Sequence, residues 1–405
     1  MTLPVLVALA ACGRPETPPP LWRAEVAAGN HDRLDTIVRA PLPEDVPAVR
    51  LLEVTAGRSI PTPSQIDGGS LYWVLTGETP RGITRSFHLV AASPTEEPPA
   101  SSLTANDESG KWIEIGLEGR PVLRYNYGRI PPPDGDVSSP LARNAHLHPV
   151  WTPAGRVVTD DFHPSHPHQR GIWMAWTRTE FEGRTPDFWN LADGTGTVRF
   201  ESLDGLSVGP VFAGLRVRHR HVDLSLDGGE EKTVLEEEWD LKVFRVGGRR
   251  WGFHLFELVS VQRLAGETPL ILPEYHYGGM AFRGARDWSP EEVRVLTAGD
   301  LDRASGDGSR AEWCLMEGPL DRGIGGLAAF GHPLNFRAPQ PLRVHDEMPY
   351  FAFSPMRLGR MEIVPGEPYV SRYRFLSFDG SAPRDTIDAY WRDYAEPPDV
   401  VWSLP

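Results

Sequence analysis

Histidines are concentrated in one short segment of the chain. Five of the 13 histidines lie between His146 and His168, and such clusters are typical of sites that bind metals or transfer protons. If His146 and His148 belong to a strand, their side chains point to the same face. The loop His163–His168 can return to that face, because its prolines restrict the backbone and hold the imidazoles in place. The segment therefore predicts a site at which several imidazoles converge.

Three roles fit these histidines, and their spacing does not choose among them. Imidazoles with a pKa of about 6.5 act as general acids or bases near neutral pH, which makes His148, His166 and His168 candidate catalytic residues. Two histidines and a carboxylate can instead bind iron or another divalent metal. The candidate metal ligands are His146, His148, Asp161, His166 and His168. In the third role the imidazoles only hydrogen-bond an ordered loop.

Aromatic residues accompany the histidines. Trp173 and Trp189 follow the cluster closely, and indole rings beside convergent polar groups commonly line pockets for sugar rings. Arg170 is suited to neutralise an anionic group of a ligand or an oxyanion. The set of candidate substrate-binding residues is Asn144, Arg170, Trp173, Trp189, Arg283 and Asn335.

A second candidate acid–base pair lies further along the chain. Glu274 and His276 are two residues apart, so we expect them on one face of a strand, where they could exchange protons with a substrate. The alternative is a salt-bridged pair on the surface of a sheet.

The elements that position these residues are predicted to be short β-strands. Forty glycines, 40 prolines and recurrent period-2 alternation favour a mainly β fold, a large antiparallel β-sandwich preceded by a small β domain. The predicted organisation is a small N-terminal domain over 24–93, a linker over 94–110, a large sandwich over 111–396 and a tail over 397–405. Ile387, Tyr390, Trp391 and Tyr394 recur at helical spacing and predict one C-terminal helix, Arg384 to Tyr394.

The start of the chain resembles a lipoprotein signal. Met1 to Ala11 is largely apolar, and small residues lead to Cys12 and a proline-rich tether that ends near residue 23. Lipidation of Cys12 predicts anchoring to a membrane by lipid alone, in the periplasm or at the outer membrane. Cys314 is then expected to be a core residue without a disulfide partner. The net charge of −14 excludes a nonspecific nucleic-acid binder.

Several motifs together resemble the bacterial PmoA-like family, also labelled methane oxygenase PmoA. They include Asn30-His31-Asp32-Arg33, the run from His148-Pro149 to Gly171-Ile172-Trp173, Asp187-Phe188-Trp189, Tyr277-Gly278-Gly279 and His332-Pro333-Leu334-Asn335. The resemblance implies a secreted protein of a kind often found with polysaccharide-degradation genes, with a galactose-mutarotase-like sandwich. Members of that family often carry a second histidine where this chain has Gln169.

Three hypotheses for function follow. The first is a secreted carbohydrate-active enzyme, a lyase, hydrolase or epimerase, that uses His148, His166, His168, Glu274 and His276. The second is a noncatalytic glycan-binding lipoprotein in which the same pocket only holds a carbohydrate or another small molecule. The third is a metal-dependent oxygenase.

Overall fold

The computed structural model describes residues 19–43, 48–92, 101–248 and 252–405. These residues form two compact units. The smaller unit consists of residues before Pro99 together with Pro398–Pro405, and the larger unit is Pro99–Pro397. The predicted leader up to residue 18, including Cys12, lies outside the described residues.

The described residues are mainly β, as predicted. The first strands are β1 (Trp22–Ala27), β2 (Arg33–Pro41), β3 (Val49–Thr55), β4 (Arg58–Thr62), β5 (Ser64–Asp67), β6 (Ser70–Thr79), β7 (Thr84–Ala91), β8 (Leu103–Glu108), β9 (Trp112–Leu117) and β10 (Arg120–Asn126). The next are β11 (His146–Val150), β12 (Asp161–His163), β13 (His166–Arg170), β14 (Ile172–Ala175), β15 (Gly196–Val208), β16 (Phe212–Asp223), β17 (Lys232–Gly248), β18 (Phe253–Leu264), β19 (Leu270–Leu272) and β20 (Gly279–Arg283). The last are β21 (Arg294–Thr297), β22 (Trp313–Leu320), β23 (Gly323–Gly331), β24 (Leu342–Val344), β25 (Tyr350–Phe353), β26 (Met361–Ile363), β27 (Tyr369–Asp379) and β28 (Asp399–Ser403). The helices are α1 (Arg303–Gly306) and α2 (Arg384–Ala395).

The smaller unit is the predicted N-terminal β domain. Its strands form one sheet in the order β28-β1-β7-β3-β4 and another in the order β2-β6-β5. Trp73 is fully buried between them and contacts the rings of Phe87 and Trp402. The residues 397–405 are therefore not a tail, because β28 pairs with β1 and places Val400 and Trp402 against this core.

The larger unit is the predicted β-sandwich. Its first large sheet has the order β24-β25-β20-β14-β11-β10-β9-β8, and its second large sheet has the order β15-β16-β17-β18-β27-β23-β22-β21. All strand pairs in both sheets are antiparallel. Apolar residues of the two sheets form one continuous core, in which Cys314 is buried. Helix α2 confirms the predicted helix.

The predicted linker over 94–110 is wrong in its second half. Residues 103–108 form β8, an edge strand of the first large sheet, which pairs with β9. Leu103 is buried, whereas most of the residues that follow it in β8 are exposed. An edge strand with one solvated side has a polar composition, and for this reason it resembled a linker.

The first large sheet has one face toward the second sheet and one face away from it. Tyr125 lies in a register row with Leu147, Ile172 and Phe282, and its ring contacts Trp239 of the second sheet. Neighbouring residues of a strand point to opposite faces. The adjacent row, Trp173–Ala281–Ala352–Arg343, therefore faces away from the second sheet.

A short hairpin, β12–β13, precedes this row and is joined to it by Gly171. The residue has a φ of 46°, and an added Cβ would collide with the backbone oxygen of Leu147. Only glycine fits so close an approach of the chain to β11. The histidine segment is thereby held against the sheet.

No helix among the described residues is both long and apolar enough to span a membrane.

Candidate functional site

Strand β13 carries a row of three side chains that runs from solvent into the protein. His166, His168 and Arg170 occupy alternate positions of the strand, whose register with β12 is irregular, and the charges of His166 and Arg170 both act on the His168 imidazole. His166 and His168 are half-buried, and their ring centroids are 5.8 Å apart, whereas Arg170 is only 1% exposed. We call these three residues the histidine row.

Charged residues are buried around the inner end of the histidine row. Asp161 lies 3.1 Å from Nε2 of His146 and 3.2 Å from Nη2 of Arg143, whose guanidinium also lies over the ring of Phe162. Burial alone would raise the pKa of Asp161, but His146 and Arg143 outweigh it and lower this pKa to about 2. Asp161 is therefore ionised, and it pairs with the cation of Arg143.

Arg170 has no such partner. Its three guanidinium nitrogens are buried, and they make no hydrogen bond or ion pair with any residue that the structure describes. Burial, together with the positive charge of Arg143, lowers the pKa of Arg170 to about 9, although Asp161 and Glu237 oppose the shift. A buried cation without hydrogen bonds is costly, and such groups usually mark a place where a ligand or water completes the set.

A second layer of polar residues supports the hairpin. Gln169 is buried and its Oε1 accepts a hydrogen bond of 2.9 Å from Arg283, while Arg286 donates to Asp160 and to the backbone oxygen of Asp161. Arg283 is only 1% exposed. Its Nη1 is bound by the amide of Gln169, and its charge acts on His166, so substrate binding by Arg283 stays a prediction.

The face that carries Trp173 is covered by aromatic rings. The ring centroid of Trp173 lies 4.8 Å from that of Trp189 and 6.1 Å from that of Tyr350. The ring centroids of Trp189 and Tyr277 are 5.2 Å apart. We call these four residues the aromatic layer. Trp173 and Trp189 are fully buried against each other rather than open to a ligand, since each is needed to cover the sheet. Nε1 of Trp173 and the hydroxyl of Tyr350 are buried without hydrogen-bond partners.

Two histidines flank the histidine row and the aromatic layer. One of them, His345, was not predicted from the sequence. Its ring centroid lies 6.1 Å from that of His166 and 6.4 Å from that of Tyr350. It directly follows β24, the edge strand of the first large sheet, and no local motif marks it. His276 lies 4.9 Å from Tyr277 and is exposed.

Glu274 and His276 are not on a strand, contrary to the prediction. They lie in the loop between β19 and β20, where Pro273 and the left-handed Gly278 and Gly279 interrupt extended structure. Glu274 is exposed. The alternation argument therefore does not apply to this pair.

The two predicted amide ligands have structural roles. Asn335 donates to the backbone oxygen of Arg372 and accepts from its nitrogen, both at 2.8 Å. Asn144 donates to the oxygen of Tyr127 and accepts from the nitrogen of Phe200. Each side chain thus connects two segments of the backbone, and Asn335 also lies in the wall of a cavity beside the loop that leads to β24.

The predicted metal ligands are not arranged as a metal site. Within the described ranges, no group of three or more His, Cys, Asp or Glu side chains could hold an ion. Asp161 and His146 are paired with each other, and Arg143 occupies the position beside them that a cation would need. His148 instead hydrogen-bonds Thr159 through Nδ1, at 2.9 Å.

The histidines of the site are neutral at pH 7. Burial lowers the pKa of His148 and of His168 to about 4, and the charges of Arg143 and Arg170 contribute at His168. Burial also lowers the pKa of His166. A neutral imidazole can accept a proton, but a pKa of about 4 makes His148 and His168 weaker bases than an ordinary histidine.

A buried glutamate network on the second large sheet was also missed. Glu237 is 2% exposed and accepts hydrogen bonds from His219, His221, Trp239, Ser260 and Gln262. The alternation of Glu236, Glu237 and Glu238 could have placed only the middle carboxylate inside, but nothing in the sequence identifies its donors.

Comparison with known protein families identifies a family whose matched region contains this site. Residues 113–392 match a family of unknown function, DUF6807. The chain belongs to this family. The match extends from β9 into α2 and includes the histidine row, the aromatic layer and the Glu237 network, so the DUF6807 region contains the whole candidate site. Comparison with curated proteins finds no match.

The isolation of Arg170 in this DUF6807 site predicts an unusual effect on stability. Arg170→Met keeps the volume and removes the buried charge, and we expect the free energy of unfolding to rise by about 1–4 kcal/mol. Arg143→Met is the matched control, because it leaves Asp161 without its cation and should lower stability by about 3–5 kcal/mol. Urea denaturation measures both. If both substitutions destabilise the protein equally, Arg170 has a partner of comparable strength.

The neutral histidines predict a pH dependence of stability. In the folded protein His148 and His168 stay unprotonated down to about pH 4, whereas in the unfolded chain they bind protons below about pH 6.5. Between these values the unfolded state holds more protons, so the free energy of unfolding should fall as the pH falls. His168→Gln should reduce this slope in denaturation curves measured from pH 7 to pH 4. An unchanged slope would show that His168 titrates normally.

Proposed function

We propose that the larger unit is a carbohydrate-active enzyme that removes a proton next to the carboxylate of an acidic sugar, as uronate lyases and epimerases do. The observation that carries this proposal is Arg170, a buried cation without a partner at the inner end of the histidine row. An incoming carboxylate would supply the missing hydrogen bonds and ion pair. His166 and His168 precede Arg170 at alternate positions of β13, so we place the ligand beside both imidazoles.

The chemistry follows from this placement. A base takes the proton from the carbon next to the carboxylate, and the electron pair of the broken C–H bond moves onto the carboxylate, where Arg170 stabilises the added charge. His168 is the proposed base, because its imidazole is neutral and nearest to Arg170 along the row. In a lyase the electron pair then expels the oxygen on the next carbon, which takes up a proton. In an epimerase a proton returns from the opposite face.

The contacts of the nearby carboxylates favour proton abstraction over hydrolysis as the reaction of this site. Glycosidases of the common type use two carboxyl groups that face the scissile bond. The carboxylates of Asp160 and Asp161 are instead bound by Arg286 and by Arg143 with His146. We therefore assign the proton transfers to imidazoles, with His166 and His345, whose ring centroids lie 6.1 Å apart, as candidates for the acid.

The reaction can be tested without knowing the natural substrate. The full chain is incubated in D2O with polysaccharides that contain uronates, and NMR follows the sugar protons. We expect either an unsaturated uronate or exchange of the proton next to the carboxylate for deuterium. His168→Gln should lower kcat/KM by about 10²–10⁴-fold, and His88→Gln, a change to a half-buried histidine of the smaller unit, should leave it unaltered.

Three results would contradict the proposal. New reducing ends without deuterium exchange would indicate a hydrolase. Binding of uronates without turnover would indicate a glycan-binding protein. Turnover that His168→Gln does not change would place the base elsewhere.

We also propose that the protein is secreted and held at a bacterial membrane by lipid on Cys12. The support is the order of apolar residues, small residues, Cys12 and a proline-rich tether. Cys12→Ser should move the protein from the membrane fraction to the soluble fraction of the cell envelope. Cys314→Ser, at the other cysteine, should not. Equal fractionation of both variants would exclude lipidation of Cys12.

A further inference from the structure

A separate cavity lies at one end of the larger unit. It encloses about 190 Å³ and is half-open to solvent. Its walls come from the start of β22, the end of β23, the loop that leads to β24, and α2. None of its lining residues belongs to the histidine row or the aromatic layer. The lining residues used below are Glu312, His332, Pro333, Pro339 and Trp391.

Trp391 supplies an aromatic wall. Its indole is half-buried, and Nε1 donates to the backbone oxygen of Gly331 at 3.3 Å, which fixes the ring. Among the described residues no other aromatic ring stacks on it. Pro333 and Pro339 provide further apolar surface. A fixed indole beside apolar walls is suited to the C–H face of a sugar ring.

Two side chains of the cavity, His332 and Glu312, offer a hydrogen-bond donor and an acceptor. Nδ1 of His332 accepts a hydrogen bond of 3.1 Å from the nitrogen of Leu334. A neutral imidazole that accepts at one nitrogen carries its proton on the other, so Nε2 of His332 is a donor. The carboxylate of Glu312 has no hydrogen bond or ion pair with any described residue. Adjacent hydroxyls, which both donate and accept, complement this pair.

The size of the cavity and the charges around it limit the kinds of ligand that it can bind. A cavity of about 150 Å³ holds a benzene ring, and pockets for drug-sized ligands begin at about 300 Å³. The cavity of about 190 Å³ therefore fits one six-membered ring. Arg310 lies against the wall, where it donates to the backbone oxygens of Pro339 and Ala338. Its positive charge beside Glu312 disfavours a cationic ligand.

We propose that this cavity binds a single neutral pyranose residue, with Trp391 on the apolar face of the ring and with Glu312 and His332 on adjacent hydroxyls. The site goes beyond the proposed proton-abstraction reaction, since it uses other elements and selects a neutral sugar unit. It would let the protein hold one part of a polysaccharide while the histidine row acts on another.

Saturation-transfer NMR of the full chain tests the site with neutral methyl hexopyranosides, namely the methyl glucoside, galactoside and mannoside. We expect transfer to the ring protons of at least one of them, with a Kd in the millimolar range. Trp391→Ala should raise this Kd about tenfold or more through loss of the stacking surface. Glu312→Gln, a conservative change outside the core, should raise it about 2- to 10-fold. Trp112→Ala, which removes another half-buried tryptophan, is the matched control and should leave it unchanged.

The same measurement separates the alternatives. Absence of transfer from all three sugars overturns the inference, and so does binding that survives both Trp391→Ala and Glu312→Gln. Preferential binding of tetramethylammonium overturns it in favour of a cation site. His168→Gln should bind the sugars as the unaltered protein does. If His168→Gln abolishes binding, the sugars occupy the histidine row, which overturns this inference while the proposed reaction stands.

Discussion

The candidate site depends on positive charge that is buried at the base of one hairpin. Asp161 on β12 pairs with Arg143 and His146, and its register partner on β13 is Arg170. One carboxylate thus faces two guanidinium groups within the interior. Among the described residues, Arg143 lies at ion-pair distance from Asp161, whereas Arg170 does not. The positive charge of Arg170 is therefore not neutralised by a carboxylate at ion-pair distance. A buried cation in this state destabilises the folded protein.

This charge is tolerated because the surrounding backbone cannot rearrange. Gly171 fixes the hairpin against β11 at a distance that no side chain would permit. Ala145 and Phe162, which adjoin His146 and Asp161, have φ values of 57° and 56°. Strained residues of this kind persist only where the structure around them is rigid, and they cluster at functional sites. The first large sheet supplies that rigidity, since its central strands carry the aromatic layer on one face and the common core on the other.

Patterns within short segments of the sequence predicted those parts of the structure that depend on residues close together in the chain. Alternation identified the sandwich, and three- and four-residue spacing identified α2. The same reasoning ranked Asp161, His168 and Arg170 as candidate functional residues, because they are dense in a short segment. It failed where contacts are made between distant segments. The pairing of β28 with β1, the approach of His345 to His166 and the five donors to Glu237 depend on the order of strands in the sheets, which no local period encodes. Trp173 and Trp189 were assigned to a ligand because composition cannot distinguish a wall of a pocket from a layer of the core.

The partnerless state of Arg170 also bears on selectivity. If a ligand does not hydrogen-bond a buried binding group, the cost of burying that group remains and the ligand binds weakly. The site therefore discriminates by weak binding of the wrong ligand as well as by tight binding of the right one. A neutral sugar in the histidine row would leave the guanidinium as costly as before and would also displace water from around it. A carboxylate on the same ring would remove that cost and gain an ion pair in a medium of low dielectric constant. The neutral imidazoles contribute to this preference, because protonated ones would attract anions without regard to their position. In the proposed reaction, positive charge on one fixed guanidinium would make the location of the carboxylate, rather than its presence alone, the property that the site selects.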